Sequence, residues 1–362
     1  MTFAERMESA AAPPELSAQG AGLGIGVVGC GAIVEAAHLP AYANAGLKVV
    51  AVADTNLARA RDLQDKFNVP SAYNSAAELL EDPRVDVVDI AVDPQHQHDI
   101  AVAAIASGRH VMCQKPMAED IESAEELVAL AAKRGVVLAV NQQMRWEPLV
   151  RGIHDLIIGG DVGQVIDVFI DVDVRTDWDG WPWMVVKPRL ELFYHSIHHL
   201  DSIRFLLGDP ESVLASLDKC PGQTAAGETR SLVHLRCPGG ATATVRASHH
   251  NWSDEPRAII RVRGTQGYVD GELGLLYDYP RGRADAIQFR SRGNKEAELH
   301  TFKRSWVPDA FESAMTDLLR AASAHKRPSS SGSDNLQTLR VVLAAYESEA
   351  SGSRIHLRPR EL

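Results

Sequence analysis

Short runs of apolar residues, many of them β-branched, alternate with amphipathic stretches between Gly24 and Val140. Five of these runs are predicted to be strands, at residues 25–28, 48–53, 85–92, 110–113 and 136–140. Several are apolar almost throughout, as strands covered on both faces must be. Helical patterning is found between them at residues 56–67, 100–107 and 123–134, the last opening with the capping box Ser123-x-x-Glu126 and closing on Gly135. Strands that alternate with helices predict a parallel, doubly wound sheet.

The pattern changes after about Asn141. A helix at residues 147–158 leads to a strand at 164–174, an irregular Trp-rich stretch at 175–188 and a second helix at 191–207. Further strands are predicted at residues 211–218, 229–236, 241–249, 257–263 and 267–270, and two final helices at 308–322 and 335–350. We therefore expect an α/β protein with a flexible leader at residues 1–22, a doubly wound domain at 23–142 and an α+β domain with an open, mostly antiparallel sheet at 143–362.

Charge and composition narrow the class of protein. The 362 residues include 37 Lys and Arg against 48 Asp and Glu, a net charge of −11. Such a chain should be repelled by phosphate backbones and anionic lipid, so we expect neither nucleic acid nor membrane as a partner. No stretch approaches the roughly 18 apolar residues of a membrane span, and the first residues lack the pattern of a secretory signal. The four cysteines, Cys30, Cys113, Cys220 and Cys237, are scattered, which fits a reducing cytoplasm.

A glycine motif follows the first predicted strand. Gly29 and Gly31 stand where that strand should turn into a helix, and Val34 replaces the third glycine of the usual GxGxxG pattern. Gly29 would allow the tight turn, and Gly31 would let backbone N–H groups approach a pyrophosphate at the helix start. The bare motif is weak, and its alternative is an ordinary strand–helix turn. Its position between strand and helix favours a Rossmann dinucleotide site.

An acidic residue follows the second predicted strand. Asp54 comes 25 residues after Gly29, where a carboxylate accepts hydrogen bonds from both ribose hydroxyls and repels a 2′-phosphate. The next residues, Thr55 and Asn56, are not basic. We therefore expect NAD, with NADP less favoured; a plain turn role for Asp54 is the alternative.

The strand at residues 110–113 is followed by Gln114, Lys115 and Pro116. A lysine at the carboxyl end of a parallel strand points into the crevice where open α/β sheets bind ligands. A solvated surface charge is the usual alternative for a single lysine. The sequence leaves open whether the Lys115–Pro116 bond is cis.

These features together resemble the glucose–fructose oxidoreductase / inositol dehydrogenase family (Gfo/Idh/MocA), from about Leu23 to Leu357. The matching segments are Gly29 to Gly31 with His38-Leu-Pro40, Pro94 to His98, Ser107 to Pro116, Asn141 to Pro148, Gly160 to Val165, Gly264 to Gly267, Ala310-Phe311 and Ala345 to Ser348. The order and spacing of these modest motifs make chance agreement implausible. The resemblance implies a metal-free oxidoreductase with a dinucleotide-binding domain and a second domain that commonly forms an oligomer face.

The chain departs from the family pattern at its acidic positions. Aligning the family's D-x-G-x-H-x-x-D motif on Asp201 places its catalytic His at His198, and its catalytic Asp then falls on Tyr194. The Glu of the family's E-K-P motif is Gln114 here. His198 and Asp201 are three residues apart and would share a helix face.

Oxidation of an alcohol needs a base for the hydroxyl proton while hydride leaves for the nicotinamide. A histidine can serve as that base, and a neighbouring cation lowers the energy of the developing alkoxide. The resemblance implies His198 and Lys115 for these roles. Tyr194 is hypothesised to relay a proton beside Lys115, the alternative being a hydrogen bond to the substrate. A core histidine is the general alternative for His198.

Clusters of histidine, tryptophan and arginine residues bear on metal binding and on substrate recognition. His195, His198, His199, His249 and His250 are numerous, but no firmly placed carboxylate or thiolate completes a zinc set, so we expect no metal. Three of the six tryptophans lie in the segment from Arg175 to Trp183, where their rings suit the C–H faces of sugars as well as they suit loop packing. Arginine binds carboxylates bidentately, so Arg145, Lys187 and Arg189 are candidates for a sugar-acid carboxylate or simply surface charges.

The sequence thus predicts a cytoplasmic, NAD-dependent homo-oligomer that oxidises a secondary alcohol of a sugar, sugar acid or cyclitol. The alternatives are an enzyme that uses tightly held NAD transiently, without net redox, and a non-catalytic ligand sensor. The expected cofactor contacts are Gly29, Gly31, Ala32, Ile33, Asp54, Thr55, Asp93, His98, Gln114, Lys115 and Gln143. The expected substrate contacts are Lys115, Arg145, Trp146, Arg175, Trp183, Tyr194, His195 and His198, of which Lys115, His198 and Tyr194 are expected to be catalytic.

Overall fold

The computed structural model describes residues 1–253, 255–279 and 282–357. The chain divides into two compact units. The Rossmann unit consists of Pro13–Trp146 and Trp306–Leu339, and the sheet unit of Met1–Ala12, Glu147–Ser305 and Arg340–Leu362.

The Rossmann unit is built on a parallel sheet of six strands. In chain order the strands are β1 Ile25–Val28, β2 Val49–Ala53, β3 Ser71–Tyr73, β4 Val87–Ile90, β5 His110–Cys113 and β6 Leu138–Val140. Their order across the sheet is β3-β2-β1-β4-β5-β6. The register aligns Ala53, Val28, Ile90, Cys113 and Val140 side by side. The residues that follow the strands therefore leave the sheet at one edge, where open α/β sheets bind ligands.

Helices follow the strands, as the alternation predicted. They span Leu39–Asn44, Leu57–Phe67, Ala76–Glu81, Pro94–Ala106 and Ile121–Arg134, and a π-helical turn at Val34–His38 precedes the first of them. The last helix ends at Gly135 in the left-handed conformation, as predicted. The predicted capping box at Ser123 is wrong, because the helix begins two residues earlier and Asp120 accepts the Ser123 N–H at 2.7 Å. Strand β3 and helix Ala76–Glu81 were missed by the sequence pattern, since both are short.

The sheet unit contains a nine-stranded sheet. Its strands are β7 Val165–Asp173, β8 Ser212–Asp218, β9 Arg230–Arg236, β10 Thr242–Ser248, β11 Arg257–Gly264, β12 Gly267–Glu272, β13 Ala286–Ser291, β14 Glu298–Thr301 and β15 Ile355–His356. The order is β14-β13-β12-β11-β7-β10-β9-β8-β15, and β7 and β10 are its parallel pair. The fold class is therefore the predicted one, although β13, β14 and β15 were not foreseen.

Helices cover one face of this sheet. Pro148–Ile158 packs on β12 and β13, and Ile197–Leu207 packs on β10. The strands alternate accordingly: Ala243, Val245 and Ala247 of β10 are buried, while the residues between them are partly exposed. Burial of these apolar side chains beneath the helices supplies the core of the unit.

The structure contradicts the prediction of a flexible leader at residues 1–22. Phe3–Ala10 is a helix whose N-terminus has a capping box between Thr2 and Glu5. Met7 is fully buried, and Arg6 pairs with Asp155 at 2.5 Å and with Asp161 at 2.7 Å. The small residues of this segment suggested a flexible leader, but the helical spacing of Phe3 and Met7 provides an apolar face.

The unit boundaries also differ from the contiguous domains that were expected. Helix Asp309–Ala324 groups with the Rossmann residues, because its Phe311 packs edge-on against His38 with ring centroids 4.9 Å apart. Ser330 adds hydrogen bonds to the backbone of Val140 in both directions, at 2.6 and 2.8 Å. The final helix, Gly332–Ser351, has residues in both units. Such contacts between residues distant in sequence leave no trace in the hydrophobic pattern.

Among the residues that the structure describes, no helix has both the length and the apolar composition that crossing a membrane requires.

Candidate functional site: the strand ends of the Rossmann unit and the histidine helix of the sheet unit

The glycine turn after β1 has the geometry that a dinucleotide requires. Gly29 has φ +97°, and a Cβ added there would stand 2.4 Å from the Ala91 carbonyl oxygen. A Cβ added to Gly31 would meet nothing within 4 Å, so the turn keeps an open space at this residue. Ala32 and Ile33 are exposed at the start of the following helix, where N–H groups lack intrahelical acceptors. This geometry leaves room for a pyrophosphate, and the cofactor contacts of the turn stay a prediction.

Asp54 lies at the end of β2, beside the glycine turn. Its Oδ2 accepts the Cys30 N–H at 2.8 Å, and its Oδ1 accepts the Asn56 N–H at 2.8 Å. The side chain is partly exposed, and Thr55 next to it is exposed. A carboxylate oxygen accepts more than one hydrogen bond, so the fixed Asp54 carboxylate can still accept bonds from two ribose hydroxyls.

Lys115 leaves the sheet after β5 through a cis peptide bond to Pro116. Removal from water lowers the pKa of Lys115 to about 8, because burial penalises the charged ammonium. The turn is fixed by Gln97, which is fully buried and was not singled out from the sequence. Gln97 accepts the Gln114 N–H at 2.7 Å and lies within 2.9 to 3.1 Å of the carbonyl oxygens of residues 114, 116 and 117.

Three other predicted cofactor residues lie at separate places in the Rossmann unit. Asp93 caps helix Pro94–Ala106 by accepting the Gln95 N–H. His98 on that helix lies 3.2 Å from the Glu126 carboxylate of the neighbouring helix. Gln143 is buried in the short 3₁₀ turn that follows β6. Asp93 is at the strand-end edge, where a dinucleotide is expected, whereas His98 is engaged within the helix layer.

Arg145, an expected substrate contact, is held by residues of the Rossmann unit. Its guanidinium donates to the Ser329 carbonyl at 2.7 Å and to the Asp334 carboxylate at 2.5 Å, and the side chain is buried. The neighbouring Trp146 is buried as well. These two hydrogen bonds use two of the five guanidinium N–H donors, so the substrate role of Arg145 stays a prediction.

In the sheet unit, the predicted catalytic residues lie on one helical segment. A π-helical turn at Glu191–Ser196 runs directly into helix Ile197–Leu207. Tyr194 and His198 are buried on consecutive turns, and His195 is partly exposed. Irregular π turns inside helices are frequently found at functional sites. Asp201 is buried with its carboxylate 3.6 Å from the Arg204 guanidinium, so this family position keeps its acidic residue in an ion pair.

The Trp-rich segment packs against this helix. The ring of Trp183, 44% exposed, meets Tyr194 edge-on with centroids 5.6 Å apart. Trp178 is buried and lies 5.2 Å from the His195 ring. Arg175 is exposed and stacks over Trp252 at 5.5 Å. Trp183 and Arg175 therefore keep accessible surface for a ligand, whereas Trp178 serves packing.

A buried polar cluster below these rings was not predicted from the sequence. Glu191 is fully buried, accepts a short hydrogen bond from the Ser196 hydroxyl, and lies 3.5 Å from His249 Nε2. The other ring nitrogen of His249 lies 2.7 Å from the Thr176 hydroxyl. Burial alone would raise the pKa of Glu191, but the hydrogen bonds and charge of His249 and the hydroxyls of Ser196 and Ser231 hold it below its usual value.

His199, on the same helix, is not part of that ion pair. Burial lowers the pKa of His199 to about 4, so its imidazole is neutral near neutral pH. Within the described ranges, no group of three or more His, Cys, Asp and Glu side chains is placed to hold a metal ion.

Comparison with known proteins identifies the family. The model described as "Oxidoreductase family, NAD-binding Rossmann fold" matches residues 23–142, and the "GFO/IDH/MocA C-terminal domain" matches residues 150–270. The chain belongs to the Gfo/Idh/MocA family. It is therefore an oxidoreductase that depends on NAD or NADP, and the predicted resemblance is confirmed.

Three matches describe its place within that family. A D-apiose dehydrogenase of Paraburkholderia graminis is 29% identical over 351 residues, covering 92% of this chain and 90% of that protein. An uncharacterised oxidoreductase of Rhizobium meliloti is 34% identical over 233 residues, 62% of this chain and 67% of that protein. An oxidoreductase from Agrobacterium radiobacter, solved with NAD+, L-tartaric acid and magnesium, is 24% identical with a TM-score of 0.82 and coverage of 92% and 98%. At that identity the solved structure supports the fold alone.

Proposed function

We propose that this protein is an NAD-dependent dehydrogenase that oxidises a secondary alcohol of a sugar, sugar acid or cyclitol. The observation that carries the proposal is the strand-end edge of the Rossmann unit, where a dinucleotide cradle and a lysine of lowered pKa follow strands of one sheet. Similarity along nearly its whole length to a D-apiose dehydrogenase supports a sugar substrate.

The choice of NAD over NADP rests on Asp54. Its carboxylate is fixed beside the glycine turn by two backbone N–H groups. In this position it would bind both ribose hydroxyls and repel a 2′-phosphate. Gly29, Gly31, Ala32 and Ile33 would hold the pyrophosphate through backbone N–H groups and the start of the helix.

The chemistry is divided between two sets of side chains. When bound, NAD supplies the acceptor for the hydride that leaves the carbinol carbon. We assign the hydroxyl proton to His198 as general base, and the stabilisation of the developing alkoxide to the Lys115 ammonium. Tyr194 would relay a proton or bind a substrate hydroxyl. A lowered pKa suits Lys115, because a poorly hydrated ammonium interacts more strongly with an alkoxide than one in water does.

Substrate recognition would involve the exposed part of the Trp-rich segment. Trp183 offers an accessible ring face next to Tyr194, and Arg175 and His195 offer hydrogen-bond donors. A sugar has apolar C–H faces and many hydroxyls, which match such a surface.

A panel of sugars, sugar acids and cyclitols, supplied with NAD, tests the proposal. We expect NADH to accumulate with at least one of them, D-apiose first, and turnover to be lost in Lys115→Ala and His198→Ala. Product without NADH would instead indicate transient use of the dinucleotide. Absence of turnover with every compound, combined with tight binding of one of them, would indicate a ligand sensor.

We further propose that the protein assembles as a homo-oligomer through the face of the nine-stranded sheet opposite the helices. Leu214, Leu232 and Leu299 are 38, 47 and 70% exposed on β8, β9 and β14, and exposed apolar side chains of this kind are often covered by a second copy. Light scattering with size-exclusion chromatography should give a dimer or tetramer, and Leu232→Glu should lower the oligomer mass. A monomer at micromolar concentration would contradict this part of the proposal.

A cytoplasmic location completes the proposal. The cysteines Cys30, Cys113, Cys220 and Cys237 are all buried as free thiols, which suits a reducing compartment. Fractionation of cells producing a tagged copy should recover the protein in the cytoplasmic fraction, and recovery in an extracytoplasmic fraction would contradict it.

A further inference from the structure

A chain of polar side chains runs from the interior of the Rossmann unit to the turn that holds Lys115. Asp89 on β4 and His38 on the π turn have no exposed surface, and neither is assigned a role in the dinucleotide site described above. Both side chains are costly to bury without partners. Their partners lead to the lysine turn.

The distances define one continuous series of hydrogen bonds. Asp89 Oδ2 lies 2.7 Å from His38 Nδ1, and His38 Nε2 lies 2.8 Å from the Gln114 amide nitrogen. The amide oxygen of Gln114 then accepts the backbone N–H of Lys115 at 3.1 Å. The groups that face His38 are Asp89, Tyr42, Gln114 and the ring of Phe311.

The direction of each hydrogen bond follows from its neighbour. Because the Lys115 N–H is a donor, the Gln114 atom facing it must be the oxygen, and the NH₂ group must face His38. His38 Nε2 is then an acceptor, so the proton of the neutral imidazole sits on Nδ1 and points to Asp89. The Asp89 carboxylate therefore fixes the tautomer of His38, and that tautomer fixes the orientation of the Gln114 side-chain amide.

We infer that Asp89 and His38 are positioning residues for Lys115, which they hold through the Gln114 amide by a chain of hydrogen bonds in which His38 is neutral. The inference goes beyond the proposed function and rests on it only for the statement that Lys115 meets the substrate. Cooperative chains of this kind hold their last member more rigidly than isolated pairs do.

This chain explains why an amide, and not a carboxylate, suits residue 114. A glutamate at this position has only lone pairs to offer, and these would face the acceptor nitrogen of the neutral His38. It could bind His38 only as the doubly protonated imidazolium. It would also place a negative charge next to Lys115, which would favour the ammonium. Gln114 avoids both effects, in agreement with a pKa of Lys115 of about 8 that burial sets.

The first experiment reads the tautomer of His38 directly. In protein labelled with ¹⁵N-histidine and free of cofactor, we expect the His38 signals, assigned by their loss in His38→Asn, to show a protonated Nδ1 and an unprotonated Nε2 at neutral pH. In Gln114→Glu the same residue should become doubly protonated. An Nε2–H tautomer, or an imidazolium in the parent protein, would overturn the inference.

The second experiment compares two matched variants of the chain. His38→Asn keeps a donor toward Asp89 but loses the link to Gln114, whereas Tyr42→Phe removes the other donor to the same Asp89 oxygen, at 2.7 Å, and keeps that link. The readout is the pH midpoint of Lys115 acetylation in the cofactor-free protein, with the exposed Lys133 as internal reference.

We expect His38→Asn to raise this midpoint by about one pH unit, tenfold in equilibrium constant, and Tyr42→Phe to leave it within a few tenths. Equal shifts in both variants, or none in either, would show a merely structural role and overturn the inference. On a substrate that supports turnover, His38→Asn should lower kcat about tenfold and leave the KM for NAD unchanged. If no sugar is oxidised by the parent protein, the proposed function fails while the NMR and acetylation results still decide this inference.

Discussion

The two units solve the problem of buried polar groups in opposite ways. Behind Lys115, the Rossmann unit uses amides and a neutral imidazole, with Asp89 as the acceptor at the end of the chain. Below Tyr194 and His195, the sheet unit places Glu191 within 3.5 Å of His249. The first arrangement leaves the adjacent lysine without a carboxylate at residue 114, whereas the second buries a carboxylate whose partners are the His249 ring and the Ser196 hydroxyl.

The two arrangements should therefore fail differently. Loss of one group at the Rossmann edge should change the chemistry and leave the fold intact, because the edge is where the strands end. Loss of one member of the Glu191–His249 pair should destabilise the sheet unit, because it leaves a buried polar group without its partner.

The largest effect is expected for Lys115→Ala. Removal of the ammonium that stabilises the developing alkoxide should lower kcat on the order of a thousandfold and leave the thermal midpoint nearly unchanged. Steady-state rates and circular dichroism check this, and Lys133→Ala, an exposed lysine of the same unit, is the control. Unchanged turnover would remove Lys115 from the mechanism.

Glu191→Ala should cost about 3 kcal/mol of unfolding free energy, because the buried Ser196 hydroxyl and His249 ring lose the acceptor that Glu191 provides. Urea denaturation of the purified protein measures it. The matched control is Asp218→Asn, which breaks the exposed ion pair between Asp218 and Arg230 and should have little effect. Stabilities that differ little between the two variants would show that the Glu191–His249 pair contributes nothing to the sheet unit.

Asp54→Ala should weaken NAD about tenfold, because the two ribose hydroxyls lose a charged acceptor, and should relax the rejection of NADP. Isothermal titration with both dinucleotides measures the two affinities. The control for loss of surface charge is Asp65→Ala, at an exposed residue of the helix that follows Asp54. Equal NAD affinity in Asp54→Ala and the parent protein would contradict the ribose assignment.

The smallest effect concerns the buried carboxyl pair of Glu147 and Asp285 in the sheet unit. Burial raises the pKa of both, Glu147 more, and the two share a hydrogen bond. A carboxyl whose pKa is higher in the folded state binds protons that the unfolded chain has already released, so stability falls as pH rises above the ordinary carboxyl range.

Glu147→Gln should reduce this slope and add about 1 kcal/mol near pH 8, since an amide can still accept the Val150 N–H that Glu147 now accepts at 2.7 Å. Urea denaturation between about pH 5 and 9 measures it. Because the pKa of Glu191 is lowered, its contribution runs the other way and is lost as the pH falls. If unfolding free energy changed with pH as steeply in Glu147→Gln as in the parent protein, the carboxyl pair would bind no more protons in the folded state than in the unfolded chain.

The Rossmann strand ends could be predicted because the signals are local. A strand must end, turn and continue as a helix within a few residues, so Gly29, Asp54 and Lys115 were found from their positions after apolar runs. Parallel register then places those ends at one edge, as the alignment of Val28, Ala53 and Cys113 with their neighbours shows. Gly29 illustrates the physical reason: at φ +97° and 2.4 Å from a carbonyl oxygen, no other residue fits.

The partners of these residues were decided only by tertiary structure. His38 meets Asp89 across 51 residues, Arg145 meets Asp334 across 189, and Glu191 lies against His249, which follows strand β10. A single sequence carries no local pattern for such pairs, because the residues next to a buried histidine or glutamate do not indicate which distant residue it contacts. Hydrophobic periodicity therefore determined the elements and their class, and long-range packing, through the hydrogen bonds that burial demands, decided which polar side chains serve a ligand and which hold the protein together.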